Sequence, residues 1–287
     1  MTAPLKQILE NYRLSIDDLI LKTIPQLGKK SKLRDACEYA LLNGGKRFRP
    51  ALVLMVANTL KNTLDLSSAA LAIEYFHTAS LIADDLPCMD NDDERRNQPS
   101  LHIAFNESTA LMASYALISA GYTNLSKNAE LLAKSSLPHA LKAYEICMLA
   151  VENVSYNTGL FGASGGQFLD LDPPNLSLET LYEIAKKKTA SLFEISFVLG
   201  WLYGGGDLTK LQLVKKTAYH YGMAFQIADD IQDMQQDLLR GCAINIAIVI
   251  GEESAKELVH KEMKSYAKLL KKLDLNSPEL LALMQLT

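Results

Sequence analysis

The chain has 287 residues and a formal net charge of -4 at pH 7, with 29 basic against 33 acidic side chains. This balance excludes a general nucleic-acid-binding protein, which needs a concentrated basic surface. The 48% hydrophobic residues, with few glycines and prolines, exclude collagen-like and disordered chains.

Helix-type start and stop signals recur along the chain, whereas strand-type alternation is nearly absent, so we predict an all-α fold. The first predicted helix covers residues 32–42 and ends at Asn43-Gly44-Gly45. A second helix is predicted to begin near Pro50, because proline is tolerated in the first turn of a helix. Another runs from Ser67 to about Asp85, where Pro87 breaks the hydrogen-bond ladder. Further helices are predicted over residues 109–125, 138–162, 178–203, 208–238 and 252–272.

No linker rich in proline, serine or glycine divides the chain, which favours a single domain over residues 1–287. The amino terminus lacks a signal-peptide pattern and the four cysteines are widely spaced, so we expect a cytoplasmic protein. Residues 108–126 carry no charge, but polar side chains dilute them. We therefore predict a buried helix there and no stable membrane span.

Two acidic clusters follow apolar segments that both end in the residues Ile-Ala-Asp-Asp. The clusters are Asp84, Asp85 and Asp90 in the first, and Asp229, Asp230 and Asp233 in the second. Carboxylates crowded at the ends of apolar helices repel one another and need a cation beside them. Magnesium suits such a site, because it takes a few carboxylates together with waters and phosphate oxygens. Neither cluster has the spacing of an EF-hand calcium loop.

Basic residues near the acidic clusters complete the pattern of a phosphate site. Lys46 and Arg49 stand at a predicted helix corner, and Arg95 and Arg96 follow the first cluster. Helix ends, lysines and forked arginine donors bind phosphate. The glycines of this corner lack the Walker spacing, and Gly165-Gly166 lacks that of a dinucleotide fingerprint, so neither ATP nor NAD binding is predicted.

Several motifs resemble those of trans-isoprenyl diphosphate synthases, especially geranylgeranyl and farnesyl diphosphate synthases. Residues 76–96, with the sequence FHTASLIADDLPCMDNDDERR, closely resemble the first Asp-rich motif of that family, and residues 225–233 resemble the second. The corner at Lys46 resembles the family's Gly-Lys-x-x-Arg motif. The resemblance extends over roughly residues 30–250 and also includes, in the family's order, Gly166-Gln167-x-x-Asp170 and Lys188-Thr189.

This resemblance implies an isoprenoid synthase-type helical bundle around a deep central cavity, usually homodimeric, that joins isopentenyl diphosphate to allylic diphosphates. It implies about three Mg²⁺ ions with the bound diphosphate, held by Asp84, Asp85, Asp90, Asp229, Asp230 and Asp233. The implied allylic diphosphate ligands are Lys188 and Arg95, and the implied isopentenyl diphosphate ligands are Lys46, Arg49, His77 and Arg96. Thr189 and Gln226 would direct their dipoles at the developing carbocation.

By the same resemblance, the residues assigned to catalysis are Asp84, Asp85, Asp90, Asp229, Lys188 and Gln226. The chemistry agrees, because releasing diphosphate to form an allylic carbocation is favoured by cations at the leaving group and an apolar cavity around the tail.

Product length is predicted from the helix that precedes Asp84. At a rise of about 1.5 Å per residue, Ala79 and Ser80 lie roughly 6 to 7.5 Å below Asp84 and Phe76 about 12 Å below it. Bacterial farnesyl synthases that resemble this chain have an aromatic residue at the position of Ala79. The small residue here predicts growth to geranylgeranyl diphosphate, with Phe76 as a deeper stop.

The segment after Asp233 departs from the family pattern. Residues 234–247 are shorter than in relatives and contain no lysine, where the family has a loop with diphosphate-binding lysines. Alternative readings therefore stay open: a farnesyl diphosphate synthase, or a weakly active regulatory subunit of a prenyl synthase. A class I terpene cyclase would share the acidic clusters but would not need Lys46 and Arg49.

Overall fold

A computed structural model describes residues 3–61, 63–240 and 244–285, and these residues are overwhelmingly helical. The helices of the first half are α1 (Ala3–Thr23), α2 (Lys32–Leu42), α3 (Phe48–Thr59), α4 (Ser67–Asp84), α5 (Leu101–Ala104), α6 (Glu107–Ala133) and α7 (Ala143–Thr158). Those of the second half are α8 (Ala163–Leu171), α9 (Leu178–Ile184), α10 (Ser191–Tyr203), α11 (Leu211–Arg240), α12 (Ile246–Ile250), α13 (Glu252–Lys272) and α14 (Pro278–Ala282). A two-residue hairpin pairs β1 (Glu94–Arg95) antiparallel with β2 (Gln98–Pro99). The predicted all-α class is confirmed.

The predicted helices match the observed ones most closely where the caps are clear. Residues 32–42 and 252–272 coincide with α2 and α13, and α4 begins at Ser67 as expected. The helix predicted over 109–125 is longer, because Asn106 caps it through a hydrogen bond from the Thr109 amide and its apolar stripe continues past Leu125 to Leu132. The helix predicted over 138–162 instead begins with a 3-10 turn at Pro138–Lys142 and ends at Thr158.

Two helices are buried on almost every side and form the centre of the bundle. In α10, every residue except Glu194 is buried, and α4 is buried from Ala69 to Phe76. A helix that is apolar all round is expected to lie inside a protein. Helix α10 packs against α3, α4, α7 and α11, while α4 packs along α6. These contacts bring the end of α4 and the middle of α11 to the same part of the bundle.

The helical run over residues 178–203 contains one widened turn. Between α9 and α10, residues Ala185–Ala190 form a π-helical turn that includes Lys188 and Thr189. Such turns occur often at functional sites. Helix α8 approaches this turn closely, since a Cβ atom on Gly166 would lie 2.3 Å from the backbone nitrogen of Lys188. The glycine therefore allows α8 to pack directly behind Lys188.

No helix formed by the described residues has the length and apolar character needed to span a bilayer. The uncharged segment 108–126 lies within α6, which packs on α4 and α7 through buried residues that include Ala113, Leu117 and Leu125. The predicted helix is present, but the expectation that it is buried is wrong, because one face of it, with Met112, Tyr115 and Ile118, is exposed.

Candidate active site

The first acidic cluster lies where α4 ends. Asp84 is the last helical residue and is half-buried, and the backbone amide of Asp90 donates to its carbonyl oxygen at 2.9 Å. This bond folds the loop back so that Asp90 stays near Asp84. Burial raises the pKa of Asp84 to about 6, with a further contribution from Asp90, while Lys188 and Arg95 act in the opposite direction. The cluster therefore holds a carboxylate whose ionised form is unfavourable without a cation.

The β-hairpin returns Arg95 to this cluster. Its Nε donates to Oδ1 of the buried Asp85 at 2.8 Å, and a second guanidinium nitrogen contacts the same oxygen. Burial raises the pKa of Asp85, and the Arg95 hydrogen bonds oppose that rise. In this state Arg95 is a partner of Asp85, with its guanidinium engaged at that carboxylate.

The second acidic cluster lies along one stretch of α11. Asp230 is buried and accepts hydrogen bonds from Gln226 Nε2 and from the Ile246 amide, both at 2.8 Å. Asp229 is half-buried, and burial raises its pKa to about 6, with repulsion from Asp233 adding to the rise. Asp230 thus uses both oxygens within the protein, whereas no such hydrogen bond joins Asp229 or Asp233 to the other described residues.

One cavity of about 400 Å³ collects side chains from both clusters and from the π-helical turn. Its polar lining consists of Asp90, Asp170, Lys188, Thr189, Gln226, Asp230, Asp233, Asp237 and Asn245. Lys188 forms an ion pair with Asp170, and the Thr189 hydroxyl donates to Gln226 Oε1 at 2.5 Å. The two motifs are 145 residues apart in the chain, counted from Asp84 to Asp229, and the fold places their carboxylates around shared space.

The carboxylates of this site have the donor chemistry that Mg²⁺ uses. All are oxygen ligands, and burial raises the pKa values of four of them, Asp84, Asp85, Asp229 and Asp230. Within the described ranges, no three side chains among His, Cys, Asp and Glu lie close enough together to hold a metal ion by themselves. A site with one or two carboxylates for each ion suits Mg²⁺, which fills the remaining positions with waters and phosphate oxygens.

A second cavity of about 500 Å³ is lined by the four basic side chains predicted to bind isopentenyl diphosphate: Lys46, Arg49, His77 and Arg96. Arg49 Nη1 lies 3.2 Å from His77 Nε2, and its guanidinium carbon lies 4.9 Å from the Phe193 ring centre. Burial lowers the pKa of Arg49 to about 10 and, together with the neighbouring arginines, lowers that of His77 well below its ordinary value. At pH 7, Arg49 is therefore charged and His77 is neutral.

Arg47 holds the helix corner that presents these basic side chains. It is buried, has a left-handed backbone at φ 48°, and pairs with Asp17 at 2.7 Å and Glu74 at 2.5 Å. Because these carboxylates neutralise its charge, Arg47 stabilises the helix corner and is not available to bind an anion. Arg47 lines the cavity together with Lys46 and Arg49, but its guanidinium is already paired with these two carboxylates.

The residues predicted to set product length lie on α4 beside α6. Phe76 and Ala79 are buried, and Ser80 is half-buried. The Phe76 ring packs edge-on against Tyr122 with centres 5.1 Å apart. The carbonyl of Ala79 accepts a hydrogen bond from the Ser114 hydroxyl at 2.9 Å. A larger side chain at residue 79 would therefore press on the α4–α6 interface.

Four residues at the site were given no role from the sequence. Gln167 donates to Asp90 at 3.0 Å, and Asp170 pairs with Lys188. Asn245 is buried and donates to the Asp230 carbonyl and to Asp237 Oδ2, both at 2.8 Å. Asp237 follows Asp233 by one helical turn, a spacing that could have identified it, whereas no motif points to Asn245. Residues 241–243, within the segment that departs from the family, lie outside the described residues.

Comparison with known proteins identifies relatives of this chain. The profile of the polyprenyl synthetase family matches residues 30–239. Geranylgeranyl pyrophosphate synthase 3, chloroplastic, from Arabidopsis thaliana is 34% identical over 246 residues, which are 80% of this chain and 66% of that protein. An apo FPP/GFPP synthase structure from Zymomonas mobilis superposes with a TM-score of 0.83 at 27% identity and covers 99% of both chains. A Thermotoga maritima geranyltranstransferase gives a TM-score of 0.77 at 27% identity over 96% of both chains.

Proposed function

Because the chain belongs to the polyprenyl synthetase family, we propose that it forms one synthase domain that condenses isopentenyl diphosphate with allylic diphosphates to give geranylgeranyl diphosphate. The family and the prenyltransferase class predicted from the sequence are confirmed. The observation that carries the proposal is the cavity lined by Lys188 and by carboxylates from both acidic clusters. A second, basic cavity provides for the other substrate.

The allylic diphosphate would bind at the cavity between the acidic clusters. Asp84, Asp85, Asp90 and Asp229 would hold Mg²⁺, with Asp230 and Asp233 acting largely through waters, because Asp230 already accepts two protein hydrogen bonds. When bound, Mg²⁺ would neutralise the negative charge that develops on the leaving diphosphate. Lys188 adds a fixed positive charge at the same cavity, and its pairing with Asp170 holds its position. To bind the diphosphate, Arg95 would have to break its hydrogen bonds to Asp85.

Isopentenyl diphosphate would bind at Lys46, Arg49, His77 and Arg96. Arg49 is held between His77 and the Phe193 ring, so its guanidinium is fixed before the substrate arrives. The neutral His77 can donate a hydrogen bond to a phosphate oxygen without adding repulsion to the arginines. Partial burial of Arg49 strengthens its attraction for a phosphate, while Lys46 and Arg96 offer their charges from exposed positions.

The carbocation would form near Thr189 and Gln226. The Thr189 hydroxyl donates to Gln226, and Gln226 in turn donates to Asp230, so this chain of hydrogen bonds fixes the orientation of the amide. Oriented dipoles stabilise developing charge without reorganising during the reaction. The diphosphate just released is the proposed base for the final proton.

Product length would depend on the space along α4. The side chain of Ala79 is small, and the Phe76 ring, held against Tyr122, lies about one turn deeper on α4. A chain that passes Ala79 but stops at Phe76 fits geranylgeranyl diphosphate better than farnesyl diphosphate. Mixed farnesyl product would show that the pocket is closed earlier than this.

The proposal is tested by incubating the purified full-length chain with isopentenyl diphosphate and each allylic diphosphate, with and without Mg²⁺, and by chromatography of the products. We expect geranylgeranyl diphosphate with Mg²⁺ and no elongation in EDTA. The Arg49→Gln variant should raise KM for isopentenyl diphosphate by about tenfold or more. It should spare hydrolysis of the allylic diphosphate alone. Lys134→Gln, which removes an exposed charge at the end of α6, is the matched control.

A regulatory subunit with weak activity is the second candidate, and the lysine-free segment 234–247 favours it. In this reading the acidic clusters would bind diphosphate, but closure over it would be poor. Absence of elongation with every primer, combined with Mg²⁺-dependent binding of diphosphate, would support the subunit over the enzyme.

We further propose a homodimer that pairs through α6 and α7. Large apolar side chains project outward from these helices, including Tyr115 at 56% exposure and Tyr144 at 76%. Exposed apolar patches of this kind mark protein interfaces. Size-exclusion chromatography with light scattering should give the mass of a dimer. The Tyr115→Glu variant should give a mass closer to that of a monomer. The cytoplasmic location stays a prediction, since the Arabidopsis relative carries a chloroplastic name.

A further inference from the structure

A third cavity, of about 420 Å³, lies between α2, α6 and the turn that follows α1. It shares no lining residue with the two cavities of the candidate active site. We call it the α2–α6 cavity and define it by Lys29, Arg34, Tyr75, Ala120, Asn124 and Lys127. None of the steps proposed above uses it.

The charge of the α2–α6 cavity is positive and uncompensated. Lys29, Arg34 and Lys127 line it, and none of the described residues around it carries a carboxylate. Arg34 Nη1 donates to the Gly28 carbonyl at 3.0 Å, and Lys127 Nζ donates to Gln26 Oε1 at 2.8 Å. Both cations are thus held by neutral oxygens. The amino-terminal end of α2 lies at the same cavity and adds the positive end of a helix dipole.

Two buried donors at this cavity lack acceptors. Asn124 is only 7% exposed and lines the cavity, yet its Nδ2 has no hydrogen-bond partner among the described residues. Arg34 Nε is also buried and without a partner there. A buried donor without an acceptor is costly, and native proteins rarely keep one without a reason. An anionic ligand with several acceptor oxygens would satisfy both.

The remaining wall of the cavity is mixed, with hydroxyl and amide side chains and one apolar part formed by α4 and α6. Tyr75 is buried, and Ala116 and Ala120 follow one another by one turn on α6. A ligand held here would therefore meet cations at one part of its surface and small apolar side chains at another. A phosphate monoester has this character, because its phosphate carries close to two negative charges and three acceptor oxygens.

From this arrangement we propose that the α2–α6 cavity binds a phosphate ester. Its phosphate contacts Arg34, Asn124 and Lys127, and its short apolar part lies on Ala116 and Ala120. A forked guanidinium and an ammonium group form the usual donor set for phosphate. The site is independent of the proposed prenyl transfer, since it is separate from the acidic clusters.

The test is isothermal titration calorimetry of the full-length chain with butyl phosphate, in EDTA at pH 8 and low salt. The Lys46→Gln/Arg49→Gln double variant serves as the background, so that the other basic cavity does not contribute. We expect one site per chain. Arg34→Gln and Lys127→Gln should each weaken binding by about tenfold, and Asn124→Asp, which places an acceptor and a negative charge in the cavity, should abolish it. Lys134→Gln should bind as the background does.

Thermal unfolding of each variant shows whether it is folded, and Lys127→Gln, at a half-buried surface position, keeps the test valid if Asn124→Asp does not fold. Absence of binding to the background protein, or equal affinity of Arg34→Gln and Lys127→Gln with the background, would overturn the proposal. Inorganic phosphate provides the second arm. Weaker binding of inorganic phosphate than of butyl phosphate supports an ester ligand, and equal binding overturns that assignment. Because no turnover is measured, failure here would leave the proposed synthase function standing.

Discussion

Replacing Asp84 with asparagine is expected to stabilise the free protein at pH 7 while it removes activity. Asp84 is half-buried, and burial raises the pKa of its carboxyl from 3.8 to about 6. A raised pKa in the folded state means that ionisation opposes folding. This penalty is absent below pH 3.8, grows as the pH rises toward 6, and is complete above it.

The size of the effect follows from the same shift. A rise from 3.8 to about 6 corresponds to about 3 kcal/mol of lost stability at pH 7. The asparagine amide keeps part of the cost of burying a polar group, so the expected net gain is about 1 to 2 kcal/mol. For a chain of this size, that gain corresponds to a rise in Tm of about 2 to 3 °C.

Thermal unfolding in EDTA at pH 7 and pH 5 measures this difference. At pH 7 the Asp84→Asn variant should melt above the wild type. At pH 5 the gap should shrink, because the wild-type carboxyl is then largely protonated. Asp93→Asn removes an exposed carboxylate of the same loop and is the matched control, for which we expect no change beyond about 0.5 kcal/mol.

A Tm of Asp84→Asn at or below that of the wild type at pH 7 would refute the reasoning, as would a gap independent of pH. Addition of Mg²⁺ and diphosphate offers a further check. These ligands should raise the Tm of the wild type more than that of the variant, because the stabilisation grows with affinity and the variant lacks one carboxylate for Mg²⁺.

Three further outcomes are expected. Ala79→Phe should shift the product toward farnesyl diphosphate or shorter, as seen by chromatography; an unchanged distribution would contradict the assigned pocket wall. Asn245→Ala removes the hydrogen bonds to Asp230 and Asp237, and should lower the free energy of unfolding by about 1 to 3 kcal/mol and raise the Mg²⁺ concentration needed for activity. At limiting Mg²⁺, kcat/KM should rise as the pH increases through about 6, because Asp84 and Asp229 must lose protons to bind the ion. A flat profile from pH 5 to 8 would exclude this.

The helices and the chemistry of the motifs could be predicted from the sequence because their signals are local. The cap before Lys32, the glycines after Asn43 and the break at Pro87 each act within a turn of the residue concerned. The acidic clusters are short strings as well, so their residue types point to a metal and a phosphate before any contact is known. The family and the helical class predicted in this way are confirmed, and the roles of individual site residues stay predictions.

Which side chains pair with one another depended on the tertiary structure, because the partners are distant in the chain. The resemblance selects Arg49 over Arg47, but only the fold shows the physical difference: it pairs Arg47 with Asp17 and Glu74, and it sets Arg49 beside His77. The same holds for Asn245, whose amide reaches Asp237 and the Asp230 backbone across a segment that matches no motif. Burial also raises the pKa values of Asp84 and Asp229. Burial depends on how the helices pack around these residues, and a motif of a few residues does not specify that packing.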